Sequence, residues 1–287
     1  MGTTTTLSPL LGTSSAMEEL RDFIVGVSLL PDPILMTGGY GTGKSLAARK
    51  IHAVGRTAGA PFHIVSSEGL DREALAWLLL EEGRKSRAFA PRAAPGSTCF
   101  FTDVENLAPE AAKEIAGYLR AGAAEGDRWP RLIFSSAFDL DALIHAELID
   151  MEVLEMISTY HMGIPPLQER IEDIPILSHY HLWLNSLPDE YEERWQVFQD
   201  EILPCLLHYP WPGNVAELIE VVRSYCGADG DEPRRYAESL ASRDDPETFL
   251  REHLRQCYRE MLALLQLEDL SGRSDLLIDP EGNSARF

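Results

Sequence analysis

The sequence predicts an α/β protein, in which a parallel sheet with helices on both faces is followed by a small helical subdomain. Three observations predict this fold. Short apolar runs alternate with helical patterns between residues 33 and 136, an order typical of a parallel sheet covered by helices. A glycine-rich loop joins the first of these runs to the helix after it. After Pro166 no strand pattern is convincing, and helical patterns occupy most of residues 174–225.

The individual elements are expected where periodicity and turn residues agree. Strands are expected at the apolar runs 33–37, 61–66, 98–102 and 131–136. Ser14 or Ser15 can cap the first helix, because a short side-chain oxygen there accepts from free N–H groups of the first turn. The break at residues 211–214 gives the start signal of the last helix in the helical subdomain. The predicted helices cover residues 17–27, 46–52, 71–84, 109–119, 174–185, 190–207 and 215–225.

The loop after the first strand carries a phosphate-binding signature, because residues 38–45 fit G-x-x-x-x-G-K-[ST] in full. Its glycines allow several N–H groups to point into one concavity, to which the following helix adds the positive end of its dipole. Lys44 is expected to contact the β- and γ-phosphates, and the hydroxyl of Ser45 to bind Mg²⁺. The strand and helix on either side argue against a chance glycine-rich turn, so we expect ATP or ADP to bind with Mg²⁺. The expected nucleotide-binding residues here are Gly38, Gly39, Tyr40, Gly41, Thr42, Gly43, Lys44, Ser45 and Leu46.

Composition narrows the possible partners and the compartment. The formal net charge of −21 opposes direct contact with DNA or RNA, and no long basic run offsets it. The start of the sequence lacks the pattern of a signal peptide, and no apolar run is long enough to span a membrane. We therefore expect a cytoplasmic protein that binds neither DNA nor membranes directly. Four scattered cysteines without a C-x-x-C pattern fit reduced thiols, at Cys99, Cys205, Cys226 and Cys257.

Two further motifs lie in the second half of the chain. Residues 165–175 read P-P-L-Q-E-R-I-E-D-I-P, and residues 211–218 read W-P-G-N-V-A-E-L. Together with residues 12–17 and the phosphate loop, they match family signatures in order and spacing. Over residues 11–225 the chain therefore resembles the AAA+ domain of bacterial enhancer-binding proteins, the activators of sigma-54 RNA polymerase.

The resemblance implies an AAA+ P-loop NTPase fold, with a Rossmann-like α/β subdomain and a small α-helical lid. We expect the nucleotide-binding subdomain at residues 1–168, the lid at 169–228, and an acidic linker with a C-terminal helix or tail at 229–287. By analogy with the family, adenine is expected to lie against the backbone at Gly12. The resemblance also implies a ring in which nucleotide lies between neighbouring subunits, and work done on sigma-54.

Several positions depart from the family pattern. The loop that grips sigma-54, G-A-F-T-G-A in the family, is R-A-F-A-P-R at residues 87–92, so sigma-54 remodelling is not expected. The two arginine-finger positions hold Asp150 and Met156, and the lid arginine is replaced by Ala216. Because an arginine finger contributes roughly 10³–10⁵ in rate, we expect ATP hydrolysis to be slow or absent. Arg131 and Arg170 flank the finger segment and are the candidates to replace the missing arginines.

The acidic motif after the third strand allows two alignments with the family. A gapless match places Thr102 at the aspartate that organises Mg²⁺ and Asp103 at the glutamate that polarises water. A slip of one residue makes Asp103 the metal residue and Glu105 the nearest candidate base. The candidate catalytic residues are therefore Asp103 and Glu105, and the candidate metal ligands are Ser45 and Asp103.

Three functions fit these observations to different degrees. The first is an ATP-binding AAA+ regulatory protein with weak or no hydrolysis, which acts on a protein partner or through self-association. The second is an active ATPase subunit of a transcription activator, whose arginine finger comes from a partner. The third is an interaction module that binds no nucleotide.

The C-terminal segment contains one more helical pattern, at residues 245–267. Residues 229–287 carry 14 Asp and Glu against 8 Arg, which is the wrong sign for contact with DNA phosphates. The helix is therefore expected to pack on the lid or to bind a partner. Its apolar face contains Phe249, Leu250, Leu254, Tyr258, Met261 and Leu265.

Overall fold

The computed structural model describes residues 9–79, 96–122, 130–186 and 191–227. The end of the predicted helix 71–84, the loop 87–92, Cys257 and the predicted helix 245–267 lie outside these residues. Within them the chain forms a five-stranded sheet in the order β2-β3-β4-β1-β5, and every neighbouring pair is parallel. The strands are β1 Ile34–Thr37, β2 Phe62–Ser66, β3 Thr98–Thr102, β4 Arg131–Ser136 and β5 Tyr160–Gly163.

Helices cover both faces of this sheet, as the sequence predicts. Alternate residues of a strand point to opposite faces, so Ile34 and Met36 pack on one side of β1 and Leu35 on the other. The first side is covered by α1 and α2, and the second by α3 to α6. The helices of this subdomain are α1 Ser15–Ser28, α2 Lys44–Val54, α3 Arg72–Leu79, α4 Pro109–Gly122, α5 Leu140–His145 and α6 Met151–Ile157.

A separate apolar cluster forms the core of the lid. Trp211 is almost fully buried in it, and its ring nitrogen donates to the carbonyl of Leu206 at 2.9 Å. The cluster joins four helices and the chain segment that leads into them. These helices are α7 Ile174–Asn185, α8 Tyr191–Val197, α9 Leu203–Leu206 and α10 Asn214–Gly227.

The structure differs from the sequence prediction in three respects. Helices α5 and α6, between β4 and β5, were not predicted. Strand β5 was not predicted, because its four residues are polar or only partly buried and end in glycine, so they form no apolar run. The predicted helix 190–207 is divided into α8, a π-helical turn at Phe198–Ile202, and α9. Pro204 explains the division, because proline has no N–H to donate to the preceding turn of an α-helix. Among the described residues, no helix is both long enough and apolar enough to cross a membrane.

Candidate functional site

The phosphate loop runs from the carboxyl end of β1 to the first turn of α2. Three of its glycines have positive φ angles, 144° at Gly38, 73° at Gly41 and 109° at Gly43. Side chains disfavour such angles, so the sequence needs glycine at these points to turn the backbone. A Cβ added at Gly38 would lie 2.5 Å from the carbonyl oxygen of Ile164, which shows how closely the loop packs against the end of β5.

The inner side of the loop suits a bound anion. Gly43 begins α2, and no side chain of the described residues caps this helix N-terminus. A Cβ placed on Gly43 would meet nothing within 4 Å, so space is open at this point of the loop. The ammonium group of Lys44 donates to the carbonyls of Gly38 at 2.6 Å and Gly39 at 2.9 Å, which holds its charge at the loop. Backbone N–H groups at a helix N-terminus and a fixed cation together form the kind of site that binds phosphate.

The outer side of the loop is bound by groups from the lid. The carbonyls of three consecutive loop residues each accept a hydrogen bond from one of the two motifs at residues 165–175 and 211–218. Asn214 donates to Tyr40 at 2.7 Å, the N–H of Val215 to Gly41 at 3.0 Å, and Arg170 to Thr42 at 2.8 Å. The lid is therefore fixed to the backbone whose N–H groups would hold phosphate.

Asn214 and Arg170 each make a second contact that strengthens this junction. The side-chain oxygen of Asn214 accepts from the N–H of Leu167 at 2.7 Å, so one amide joins the loop to the start of the lid. The buried guanidinium of Arg170 also contacts the sulfur of Met17 in α1 at 2.9 Å. Sequence reasoning gave Asn214 no role and named Arg170 only as a candidate finger, because the partners of these residues in the loop and in α1 lie more than a hundred positions away in the chain.

Asp173 fixes the segment where adenine is expected. Its buried carboxylate accepts from the N–H groups of Thr13 and Ser14 at 2.6 and 2.9 Å and from the Ser14 hydroxyl at 2.7 Å. Gly12 lies against it, since an added Cβ would be 2.8 Å from an oxygen of Asp173. The backbone at Gly12 is thus held between α1 and the lid, close to the phosphate loop.

A buried glutamate shapes the turn that carries Asn214. Glu217 accepts from the hydroxyl of Tyr209 and from the N–H of Gly213, both at 2.9 Å. Burial raises the pKa of this carboxyl group, and the two hydrogen bonds act in the opposite direction. The two hydrogen bonds of Glu217 therefore hold the turn that places Asn214 at the loop.

The acidic motif lies at the carboxyl end of β3. Asp103 follows the strand with a left-handed backbone, φ 55°, and begins a 3-10 turn at Val104–Asn106. Glu105 in this turn accepts from the N–H of Ala137 at 3.0 Å, in the loop after β4. Its second oxygen is buried and has no hydrogen-bond partner among the described residues. Thr102 is the last residue of β3 and pairs in register with Ser66 of β2.

The residues that the resemblance aligns with the family's arginines have structural roles. Asp150 caps α6, accepting from the N–H groups of Glu152 at 3.0 Å and Val153 at 3.3 Å. Met156 is partly buried against the core on one face of the sheet. Ala216 lies in the first turn of α10, where its N–H is 3.3 Å from the carbonyl of Gly41.

Neither flanking arginine takes over the position of a finger. Arg131 is the first residue of β4, at the end of the strands away from the phosphate loop, and donates to the carbonyls of Ser28 and Val27 at the end of α1. Arg170 is bound to Thr42 and Met17, as described above. Burial lowers the pKa of both guanidinium groups, to about 10 for Arg131. Both arginines therefore support the fold, and neither extends towards a neighbouring molecule.

The donor set at the loop fits Mg²⁺ better than a transition metal. Ser45 and Asp103 offer hard oxygen donors, and Mg²⁺ commonly binds one or two protein oxygens together with phosphates and waters. Among the described residues, no group of three or more His, Cys, Asp or Glu side chains could hold a metal ion by itself. Phosphate oxygens would have to complete such a site.

Two family models match this chain. The model described as the Sigma-54 interaction domain covers residues 11–167, and the model described as the AAA+ ATPase lid domain covers residues 168–233. The match to the first model extends over more than half of the chain, which is enough to show the family.

Curated relatives match over most of this chain. The nitrogen assimilation regulatory protein NtrX of Azorhizobium caulinodans is 30% identical over 236 residues, which are 77% of this chain and 52% of that protein. The DNA-binding transcriptional regulator NtrC of Bradyrhizobium is 29% identical over 232 residues, 75% of this chain and 47% of that protein. The chain thus spans about half the length of these relatives.

A solved structure agrees with the fold. NtrX from Brucella abortus in complex with ATP superposes with a TM-score of 0.62 and 26% identity, over 78% of this chain and 52% of that chain.

Proposed function

Since this chain belongs to the sigma-54 interaction domain family and carries its AAA+ lid, we propose that it is a regulatory protein that binds ATP or ADP with weak or no hydrolysis. One observation carries the proposal. The phosphate loop is complete and bonded to the lid, whereas Asp150, Met156 and Ala216 stand where the family has arginines. The chain thus keeps the groups for binding and lacks those for fast turnover.

Binding uses the two sides of the loop differently. On the inner side, the N–H groups at Gly43 and Lys44 and the ammonium of Lys44 bind phosphate oxygens. Ser45 and Asp103 would hold Mg²⁺, which would supply further positive charge for the phosphates. On the outer side, Asn214 and Arg170 bond the lid to the loop backbone, so a movement of this backbone would move the lid as well. Nucleotide binding is therefore expected to change the position of the lid, which is the signal in this proposal.

The output of this signal is assigned to a protein partner or to self-association. The sequence that grips sigma-54 in the family is absent at residues 87–92, so remodelling of sigma-54 is not part of the proposal. The net charge of −21 opposes direct DNA binding by this chain. A regulator with these properties would affect another protein differently according to whether it has ATP, ADP or no nucleotide bound.

A second candidate function is an ATPase that becomes active when a partner supplies the finger. The position of Glu105 favours it, because one oxygen is held by the N–H of Ala137 and the other has no hydrogen-bond partner among the described residues. That arrangement suits a residue that polarises water, with Asp103 beside the metal. In this case hydrolysis would begin only when the partner is added.

Titration of fluorescent ATP and ADP tests the proposal directly. The wild-type chain should bind both in the micromolar range, and Lys44→Ala should weaken binding by on the order of 100-fold, since two charge-assisted hydrogen bonds are lost. Lys50→Ala is the matched control, because it removes the same charge from the same helix six positions away and should leave binding intact. Wild-type protein that binds neither nucleotide would contradict the proposal and leave an interaction module as the remaining function.

A further inference from the structure

The outward face of α7 is unusually apolar for a surface helix. Ile174, Leu177 and Leu182 fill the lid core from one side of this helix. On the other side Trp183 and Leu184 are 58% and 51% exposed. A helix that is apolar on both sides is normally covered on both, whereas a solvent-facing helix has a polar outer face. The exposed side of α7 therefore has the character of a contact surface.

Aromatic rings make this surface continuous with α8. A cavity of about 380 Å³ is lined by Trp183 and Leu184 at the end of α7, by Ser186, and by Tyr191 at the start of α8. Tyr180 lies next to Trp183, with ring centroids 6.3 Å apart. We call this surface, formed by Tyr180, Trp183, Leu184, Ser186 and Tyr191, the lid aromatic face.

The described chain ends beside this face. Cys226, the penultimate residue of α10, has its sulfur 3.7 Å from the hydroxyl of Ser186. Tyr225 and Arg194 of α8 form two hydrogen bonds. The Tyr225 hydroxyl donates to the Arg194 carbonyl at 3.0 Å, and the Arg194 guanidinium donates to the Tyr225 carbonyl at 3.3 Å. The end of α10 is thus held between the two helices that form the cavity, and residues 228–287 leave from there.

The sequence that follows can cover this face. Residues 245–267 predict a helix of roughly 35 Å, with an apolar stripe at Leu250, Leu254 and Tyr258. The 17 residues between Gly227 and this segment can span up to about 55 Å when extended, so reach does not limit docking. A tether of this length also gives an effective concentration near the millimolar range, which favours this segment over any free partner.

The charges beside the lid aromatic face are opposite in sign to those beside the apolar stripe of residues 245–267. In the predicted helix, Arg251, Arg255 and Arg259 recur every four residues and lie beside the apolar stripe. On the lid, Glu192 and Glu193 are exposed immediately after Tyr191. An apolar stripe with a basic edge thus meets an aromatic face with an acidic edge.

We propose that residues 245–267 of this chain dock as a helix on the lid aromatic face, in the same molecule. The docked helix would cover Trp183 and Leu184 and would move together with the lid. This inference depends on the lid and the C-terminal sequence alone, and it holds whether or not the phosphate loop binds nucleotide.

Hydroxyl-radical footprinting and hydrogen exchange of the full chain test this proposal. Leu254→Asp places a charge in the apolar stripe, and Gln256→Asp places the same charge on the opposite side of the predicted helix. With Leu254→Asp, oxidation of Trp183 and amide exchange at the end of α7 should rise several-fold over wild type, and with Gln256→Asp they should not. Reciprocally, Trp183→Ser should speed exchange in residues 245–267.

Three results would overturn the proposal. In the first, Leu254→Asp and Gln256→Asp have the same effect on Trp183. In the second, residues 245–267 exchange at the same rate in wild type and in Trp183→Ser. In the third, protection of Trp183 falls on dilution while light scattering shows a dimer dissociating, because the occupant would then belong to a second copy of the chain.

Discussion

Two regions of the molecule compare differently with the enhancer-binding pattern: the junction of the phosphate loop and the lid follows it, and α6 departs from it. At the junction of the phosphate loop and the lid, Asn214, Val215 and Arg170 bind three successive carbonyls, and the motifs that supply them are nearly complete. At α6, the two positions that the resemblance aligns with the arginine fingers hold a helix cap, Asp150, and a residue partly buried against the core, Met156. The proposal of slow hydrolysis rests on this contrast, because the bonds between lid and loop are present and the residues aligned with the fingers stabilise the fold instead.

The largest expected effect comes from crowding the junction itself. Gly41→Ala would place a Cβ 2.1 Å from the carbonyl oxygen of Gly213, at a φ angle of 73° that side chains disfavour. We expect a loss of roughly 3–5 kcal/mol in the free energy of unfolding, because the backbone of loop and lid must separate. Chemical denaturation followed by circular dichroism measures this loss.

Gly43→Ala is the control for that variant. Its added Cβ meets nothing within 4 Å, so only the strain of the positive φ remains, about 1–3 kcal/mol. It should leave the lid in place and still weaken nucleotide binding, because the methyl group enters the open space of the loop. The comparison fails if Gly41→Ala is no less stable than Gly43→Ala.

The second effect concerns the amide that joins loop and lid. Asn214→Gly removes the side chain and tolerates the positive φ angle of 53° at this position. A buried hydrogen bond with Leu167 and a partly buried one with Tyr40 are lost, so the free energy of unfolding should fall by about 2–3 kcal/mol. Hydrogen exchange should then report a freer lid with the sheet still protected. An unchanged lid would show that these bonds do not hold the two subdomains together.

The third effect restores one of the missing groups. Ala216→Arg places a guanidinium at the family's lid position, in the first turn of α10 next to Gly41. One charge-assisted hydrogen bond to the γ-phosphate should raise the affinity for ATP over ADP by about tenfold. Ala216→Gln, which adds a polar side chain without charge, is the control. Equal gains for ATP and ADP would argue that position 216 does not face the γ-phosphate.

The smallest effect is a pH dependence of lid stability. Burial, and secondarily the charge of Arg223, lowers the pKa of His181 in α7 to about 4. The unfolded chain takes up this proton at its ordinary pKa of about 6.5, so the contribution to stability is complete above that value and is lost as the pH falls towards 4. The slope from one proton is at most about 1.4 kcal/mol per pH unit.

His181→Gln isolates this contribution. The variant should lose stability less steeply than wild type between pH 6.5 and pH 4.5, when urea unfolding is measured across that window. Parallel curves for the two proteins would show that the ring of His181 is already accessible to protons in the folded lid.

The sequence predicted the fold because its signals there are local. Strands β1 to β4 are short runs of mostly apolar residues, and helix α2 begins where the glycine-rich loop requires it. Strand β5 gave no such signal, since an edge strand with Tyr160 and His161 does not need to be apolar. Pro204 was the local sign that the predicted helix 190–207 is interrupted.

Sequence reasoning could identify only part of the candidate site. The loop residues 38–45 can be identified from spacing alone, because the motif is contiguous. The bond from Asn214 to Tyr40 joins residues 174 positions apart, and no local pattern reveals such a partner. The alignment of the acidic motif stayed open for a similar reason, since the contact of Glu105 with Ala137 depends on how β3 and β4 lie in the sheet.

Phosphate release at saturating ATP, measured over a range of protein concentrations, tests the central claim most directly. The account predicts that phosphate release by wild type stays slow and does not increase with protein concentration, although wild type binds ATP about 100-fold more tightly than Lys44→Ala. Release that increases with protein concentration and disappears in Lys44→Ala would contradict it, because an assembly of this chain alone would then complete the catalytic site.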